Sequence, residues 1–367
     1  MWQAMKVSDR LPLPRADLAA FQAYRTQQMA ADVRVHANEW AEPNPVSDHL
    51  TAAELDAILL NRYPTALASA ELRETLAERQ GVGPDQLIFG NGSNEVLLST
   101  FLVFGGHGRS TLLFQPTYSM HARLTQIAGG TVAEEHIGLP YVLTTQRALA
   151  ALDRVRPHIV CFTTPNNPTG NLIDDAVILA AAERYPEMLV LVDEAYSDFA
   201  GNTIVPAISK HPNIVVTKTF SKVRAAAGLR LGVLIVHPRV ADVFRAVQLP
   251  YNVSPLTTVI GGRIARREDD VRRRIAQCAT ERDRVYAALR HAVGVEPFPS
   301  VTNFILFRLA DRTPAEAHAR LLEHSVLVRD VSSWPGCAGC LRVSIGTPAE
   351  NDRVIAAIDA VFSAVRA

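Results

Sequence analysis

Leu189-Val190-Leu191-Val192 and the run from Leu231 to Val236 carry no polar side chain, and apolar residues do not alternate with polar ones along them. Strands of this kind have both faces covered, as in a sheet sandwiched between helices. Shorter runs at Gln86–Phe89, Thr111–Phe114, Val132–His136, His158–Thr163 and Ile214–Thr217 lie between helical patterns. With Met188–Val192 and Arg230–Val236 they predict an α/β unit around a mainly parallel, seven-stranded sheet.

The pattern changes near residue 254. Ser254 can cap a helix with Pro255 at its first position, and helical sequence continues to about His291. Arg272-Arg273-Arg274 within it reads as a solvated face. Beyond it, Asn303–Arg308, Val326–Val331 and Leu341–Ile345 read as strands of a smaller α+β unit. Thr347-Pro348-Ala349-Glu350 is a capping box that opens the last helix. The expected division is an N-terminal arm with part of the small domain (1–44), a large domain (45–253) and a C-terminal small domain (254–367).

With 367 residues, 48% of them hydrophobic, the chain can bury a large core, and its formal net charge of zero favours neither nucleic acid nor an anionic membrane. No apolar run approaches the ~20 residues of a membrane span, and no signal pattern opens the chain. A soluble, cytoplasmic protein with reduced thiols is expected. Cys161 reads as a small buried hydrophobe, and Cys337-Ala-Gly-Cys340 is a single CxxC without the second pair or histidines of a structural zinc site, so no metal is expected.

Lysine occurs only at positions 6, 210, 218 and 222. Lys222 stands in Thr219-Phe220-Ser221-Lys222, just past a strand end, with Arg230 eight positions on. In open α/β sheets ligands bind outside the carboxyl ends of strands. An amine there, beside a fixed cation and two hydroxyls, suits imine formation with a small phosphorylated carbonyl compound. Lys218 is the rival but sits inside the strand. Arg230 can grip a phosphate as a bidentate fork, with Thr219 and Ser221 as further donors. Gly90-Asn91-Gly92-Ser93-Asn94-Glu95 follows another strand and opens a helix whose N–H groups, near Ser93 and Asn94, can face an anion.

Asp193 ends the most apolar strand, where a buried carboxylate needs a cationic partner such as a protonated pyridine ring. Tyr196 and Asn167, the latter in Pro165-Asn166-Asn167-Pro168-Thr169-Gly170, can hydrogen-bond that ring's phenolic oxygen. Tyr118, after Gln115-Pro116-Thr117, can stack on it. Together these residues point to pyridoxal 5'-phosphate.

In this order the segments resemble fold-type I pyridoxal-phosphate enzymes of the class I/II aminotransferases, and within them the histidinol-phosphate aminotransferase family. The resemblance extends to His36-Ala37-Asn38-Glu39-Trp40, Asn61-Arg62-Tyr63-Pro64, Leu249-Pro250-Tyr251-Asn252-Val253 and Cys340 through Thr347. It implies Lys222 as Schiff-base lysine and acid/base, Asp193 against the ring nitrogen, Tyr196 and Asn167 on the ring oxygen, and Tyr118 stacked. It assigns the phosphate to Ser93, Asn94, Thr219, Ser221 and Arg230. Tyr63 would reach the phosphate of a neighbouring subunit, so a homodimer with shared active sites is implied. Arg342, helped by Arg329, would bind the anionic end of the substrate, and Asn38 and Phe21 would be further substrate-binding residues.

The sequence departs from the family pattern at Asn94, where aspartate is usual, at Arg224, where an aromatic residue is usual, and at Phe21, where a tyrosine is frequent, with Tyr24 close by. Transamination between histidinol phosphate and 2-oxoglutarate, as in histidine biosynthesis, is the expected activity. An aminotransferase for an aromatic or specialised-pathway amino acid and an amino-acid-phosphate decarboxylase remain the alternatives. A ligand-sensing regulator is disfavoured, since about 40 residues before the first motif leave no room for a DNA-binding module.

Overall fold

The computed structural model describes residues 15–18, 21, 29–65 and 69–363; Tyr24 and Lys6 lie outside the described residues. Its strands are β1 (Val33–Arg34), β2 (Leu87–Asn91), β3 (Ser110–Gln115), β4 (Thr131–His136), β5 (Ile159–Thr163), β6 (Leu189–Asp193) and β7 (Ile214–Thr219). They continue as β8 (Leu231–Ile235), β9 (Val295–Pro297), β10 (Phe304–Leu309), β11 (Val326–Leu327), β12 (Arg329–Asp330) and β13 (Cys340–Ser344).

β2 to β8 form the seven-stranded sheet, in the order β2-β8-β7-β6-β5-β3-β4. β4, β3, β5, β6 and β7 pair in parallel, whereas β8 is antiparallel to both β7 and β2. All five residues of β5, of β6 and of β8 are buried, as their unbroken apolar runs require. Val190, Val192, Val216 and Phe162 pack into one apolar layer, and Leu191, Val215, Leu234 and Leu113 into the layer on the opposite face.

The direction of β8 positions the site. The carboxyl ends of β2, β3, β5, β6 and β7 lie along one edge, and at that edge the antiparallel β8 presents its amino end. Arg230, immediately before β8, therefore joins residues that follow the other strands. Arg230 is not the first strand residue, as the sequence reading has it. It has a left-handed backbone (φ 53) and closes the short 3-10 turn Ala227–Leu229.

A four-stranded antiparallel sheet, β12-β13-β10-β9, and the parallel pair β1-β11 form the second structural layer, with Phe304, Ile305, Leu341 and Val343 in its core. Val326–Val331, read as one strand, is split at Val328 into β11 and β12, which serve different sheets. The long helical region is also divided, into Pro255–Arg266 and Glu268–His291. Ser254 caps the first of these through the Thr257 N–H, and Thr347 forms the expected capping box with Glu350. Arg272 and Arg273 are exposed, but Arg274 is buried and donates to the Val223 carbonyl at 3.4 Å, so the basic triplet is not a uniformly solvated face.

Candidate active site

A cavity of about 380 Å³ opens along this edge. Its wall holds Ser93, Asn94, Tyr118, Asn167, Asp193, Tyr196, Thr219, Ser221, Lys222 and Arg230 from the large sheet's edge, with Asn38, Arg329 and Arg342 opposite.

Register explains the convergence. Thr163 pairs with Asp193 and Asp193 with Thr217, so the ends of β5, β6 and β7 are level. Gly232 of β8 lies against the turn before the Ser93–Phe104 helix: a Cβ there would meet the Ser93 nitrogen at 2.3 Å. Gly92 adopts φ 77, and a Cβ on it would meet an Arg230 guanidinium nitrogen at 2.2 Å. These two glycines bring a helix N-terminus and a guanidinium into one wall. The Thr219 hydroxyl donates to Ser221 Oγ at 3.0 Å and accepts from the Ser221 N–H at 3.2 Å, which fixes the Thr219–Ser221 turn beside Arg230.

The two candidate lysines have different surroundings. Lys218 Nζ lies 2.7 Å from Glu194 Oε2 and donates to Ser197 Oγ at 2.8 Å, in an ion pair away from the cavity. Lys222 Nζ reaches into the cavity, donating to the Ala37 carbonyl at 3.2 Å and lying 5.6 Å from the Tyr196 ring centroid.

Asp193 is buried. Its Oδ1 accepts from the Ala195 N–H at 3.1 Å, and its Oδ2 lies 3.0 Å from Nε2 of the fully buried His121. Burial opposes charge on this imidazole, but the adjacent Cys161 sulfur and the Asp193 carboxylate outweigh it and push the group up to about 10. His121 also meets the Tyr118 ring edge-on, with centroids 5.4 Å apart, and Tyr118 donates to Asn94 Oδ1 at 3.3 Å. His121 was not among the residues expected from sequence. Its place one helical turn after Tyr118 is the local signal, but its meeting with Asp193 is set by the sheet.

Tyr196 Oη accepts from Asn38 Nδ2 at 2.9 Å, and the Asn38 N–H donates to Ser344 Oγ at 2.9 Å. Arg342 donates to Asn167 Oδ1 at 2.5 Å and to the His36 carbonyl at 2.9 Å, linking the second layer to the β5 turn. Trp334, His36 and Glu39 also line the cavity, though none was singled out as a ligand from sequence.

Three residues that bear on the sequence expectations do not line this cavity. Phe21 lies under the Arg123 guanidinium, 5.1 Å from ring centroid to Cζ. Tyr63 is 76% exposed and stacks on Tyr251 with centroids 4.5 Å apart, outside its own chain's cavity. Arg224, one of the departures from the family pattern, is buried against Glu268 (3.1 Å) and Asp198 (3.6 Å), with Phe220 beneath it. The turn closed by the Ala225 N–H on the Lys222 carbonyl, at 2.8 Å, lies between the Lys222 and Arg224 side chains. Asn94, the third departure, does line the cavity.

The family model for aminotransferase class I and II matches residues 33–358. The chain belongs to the class I and II aminotransferases. It is therefore a transferase acting on small amino donors and acceptors, in the fold-type I architecture. Among similar members of this aminotransferase family is histidinol-phosphate aminotransferase of Thermobifida fusca, 39% identical, with 93% of each chain covered. The enzyme of the same name from Streptomyces avermitilis is 37% identical over 95% of this chain and 96% of its own. In fold, the chain is similar to the histidinol-phosphate aminotransferase of Sinorhizobium meliloti, solved in complex with pyridoxal-5'-phosphate. The TM-score is 0.84 at 21% identity, over 96% of this chain and 98% of that one. Among the described residues no helix is long and apolar enough to cross a membrane.

Proposed function

We propose that this aminotransferase moves the amino group of histidinol phosphate to 2-oxoglutarate, using pyridoxal 5'-phosphate held by the cavity residues named above. The observation that carries the reading is a single cavity whose wall joins a phosphate-type cradle from the large sheet's edge with two arginines, Arg329 and Arg342, from β12 and β13. The names and near-complete coverage of its relatives support the choice of substrate.

The donor set fits the cofactor. The Arg230 guanidinium, seated against Gly92 where any Cβ would collide with it, the hydroxyls of Ser93, Thr219 and Ser221, and the helix N-terminus suit a phosphate dianion. A buried carboxylate at Asp193 suits a protonated ring nitrogen, and Tyr118 offers an aromatic face. When bound, pyridoxal phosphate supplies an aldehyde for covalent attachment and a ring that draws electrons from the donor's α-carbon.

Every other part of the reaction falls to the chain. Lys222 is the attachment point, and its amine takes the proton from the donor's α-carbon. His121 holds Asp193 in place and compensates its buried charge. Asn167 and Tyr196 present donors to the ring oxygen, each steadied by a partner from the second layer. Arg342 and Arg329 bind the phosphate of the donor, and then the distal carboxylate of the acceptor.

The expected assembly is a cytoplasmic homodimer. Leu59, Leu60, Tyr63, Leu249 and Tyr251 are all largely exposed, and the Tyr63–Tyr251 stack joins their two segments into one apolar surface. Such a patch is commonly covered by another chain, and Tyr63 would then reach the neighbour's phosphate cradle. Incubation of the loaded protein with histidinol phosphate and 2-oxoglutarate should yield glutamate. No glutamate from that pair, with turnover of another donor, would replace the substrate.

A further inference from the structure

His36-Ala37-Asn38-Glu39 runs along the cavity wall, with the His36 and Ala37 carbonyls accepting from Arg342 and Lys222 and the Asn38 amide donating to Tyr196. Among the described residues two carboxylates line the cavity, Asp193 and Glu39. Asp193 is committed to His121 and the Ala195 N–H. The Glu39 carboxylate makes no hydrogen bond or ion pair within the described chain.

Its backbone, by contrast, is fixed. Asn38 sits in a left-handed turn (φ 54), its N–H held by Ser344 and its carbonyl by the Asn303 amide at 3.1 Å. On the other side Trp40 packs under Arg274. An exposed carboxylate without a protein partner is thus mounted on a fixed turn, in a cavity that Arg329 and Arg342 also line. His36 does not neutralise it: burial outweighs the pull of Glu39 and, helped by the nearby arginines, keeps this imidazole below its ordinary range.

We propose that Glu39 is a specificity-determining residue, whose carboxylate accepts a hydrogen bond from the ring N–H of the donor's imidazole while Arg329 and Arg342 hold its phosphate. This rests on the reading of function above and adds the group that separates an imidazole donor from a purely apolar one. An ionised carboxylate only accepts, and an imidazole offers one N–H when neutral and two when protonated. A phenyl ring offers none. Glutamate, the other amine carried by the cycle, has no ring to present and gains nothing from Glu39.

The test compares Glu39→Ala and Glu39→Gln with the parent protein, all loaded with pyridoxal phosphate, in half-reactions with histidinol phosphate and with glutamate. Glu39→Ala should lower kcat/KM for histidinol phosphate about ten-fold more than for glutamate, chiefly through KM, as expected for loss of one partly solvated charge-assisted hydrogen bond. Glu39→Gln, which keeps an acceptor without charge, should fall between. Equal losses for the two donors, or no loss, would overturn the assignment. A parent protein that is inert with histidinol phosphate yet active with glutamate would remove the underlying reading of function and the assignment with it. Circular dichroism of both variants separates a binding effect from misfolding.

Discussion

The two ends of the cavity are built differently. At the cofactor end nearly every polar group is tied to another: Asp193 to His121, Tyr118 to Asn94, Thr219 to Ser221, Tyr196 to Asn38. At the far end the Arg329 guanidinium and the Glu39 carboxylate have no partner in the described chain, and only Arg342 is anchored. An end that always meets the same ligand gains from groups fixed in advance. On the proposed function, the other end accepts a phosphate ester and a dicarboxylate in turn, and gains from groups left to the ligand.

The sharpest way to break this contrast is at the fixed end. Lys222→Ala should cut turnover by at least ~10³-fold, since attachment and proton transfer are lost together. Lys218→Ala should keep attachment but destabilise the fold by about 3 kcal/mol in denaturant melts, because it leaves the buried Glu194 carboxylate without a cation, held only by the Thr203 hydroxyl and the Ile204 N–H. If the two variants exchange these outcomes, the ordering of the two lysines is wrong.

On the proposed function, Arg342→Ala removes both a substrate contact and the clamp on Asn167. It should raise KM for both substrates about 10- to 100-fold and lower kcat as well, in steady-state assays. Arg329→Ala has no such clamp to lose and should affect KM alone.

A pH test probes His121. Its pKa in the fold is raised, so its contribution to stability is complete below the unfolded value of about 6.5 and fades as pH climbs towards the folded value of about 10. The melting-temperature advantage of the parent over His121→Asn should therefore be largest near pH 6 and narrow towards pH 10. An advantage that grows with pH would show that the imidazole is neutral in the fold.

The smallest effect is expected at Arg224. Arg224→Ala should cost roughly 1–3 kcal/mol of stability through its buried contacts and leave the ranking of donors unchanged. A changed donor ranking would return this residue to the site.

Most of the fixed end was legible in sequence, because its residues, Arg230 apart, stand at or just past the end of a strand whose apolar run marks it. Leu189–Val192 announces Asp193, and Ile214–Thr217 announces Thr219 through Lys222. The far end was less so. Glu39 and His36 stand in an irregular segment with no period to give their facing. Trp334 reaches the cavity from a chain of turns before β13. His121 and the inward turn of Arg274 depend on contacts between distant elements, which local pattern does not encode. The order β2-β8-β7 was equally hidden, since an apolar run does not reveal strand direction.

The most direct test of the account is borohydride reduction of the pyridoxal-phosphate-loaded protein, followed by peptide mass mapping. The account predicts one modified peptide, the one containing Lys222, with Lys218 unmodified. Modification of Lys218, or none at either lysine, would contradict it.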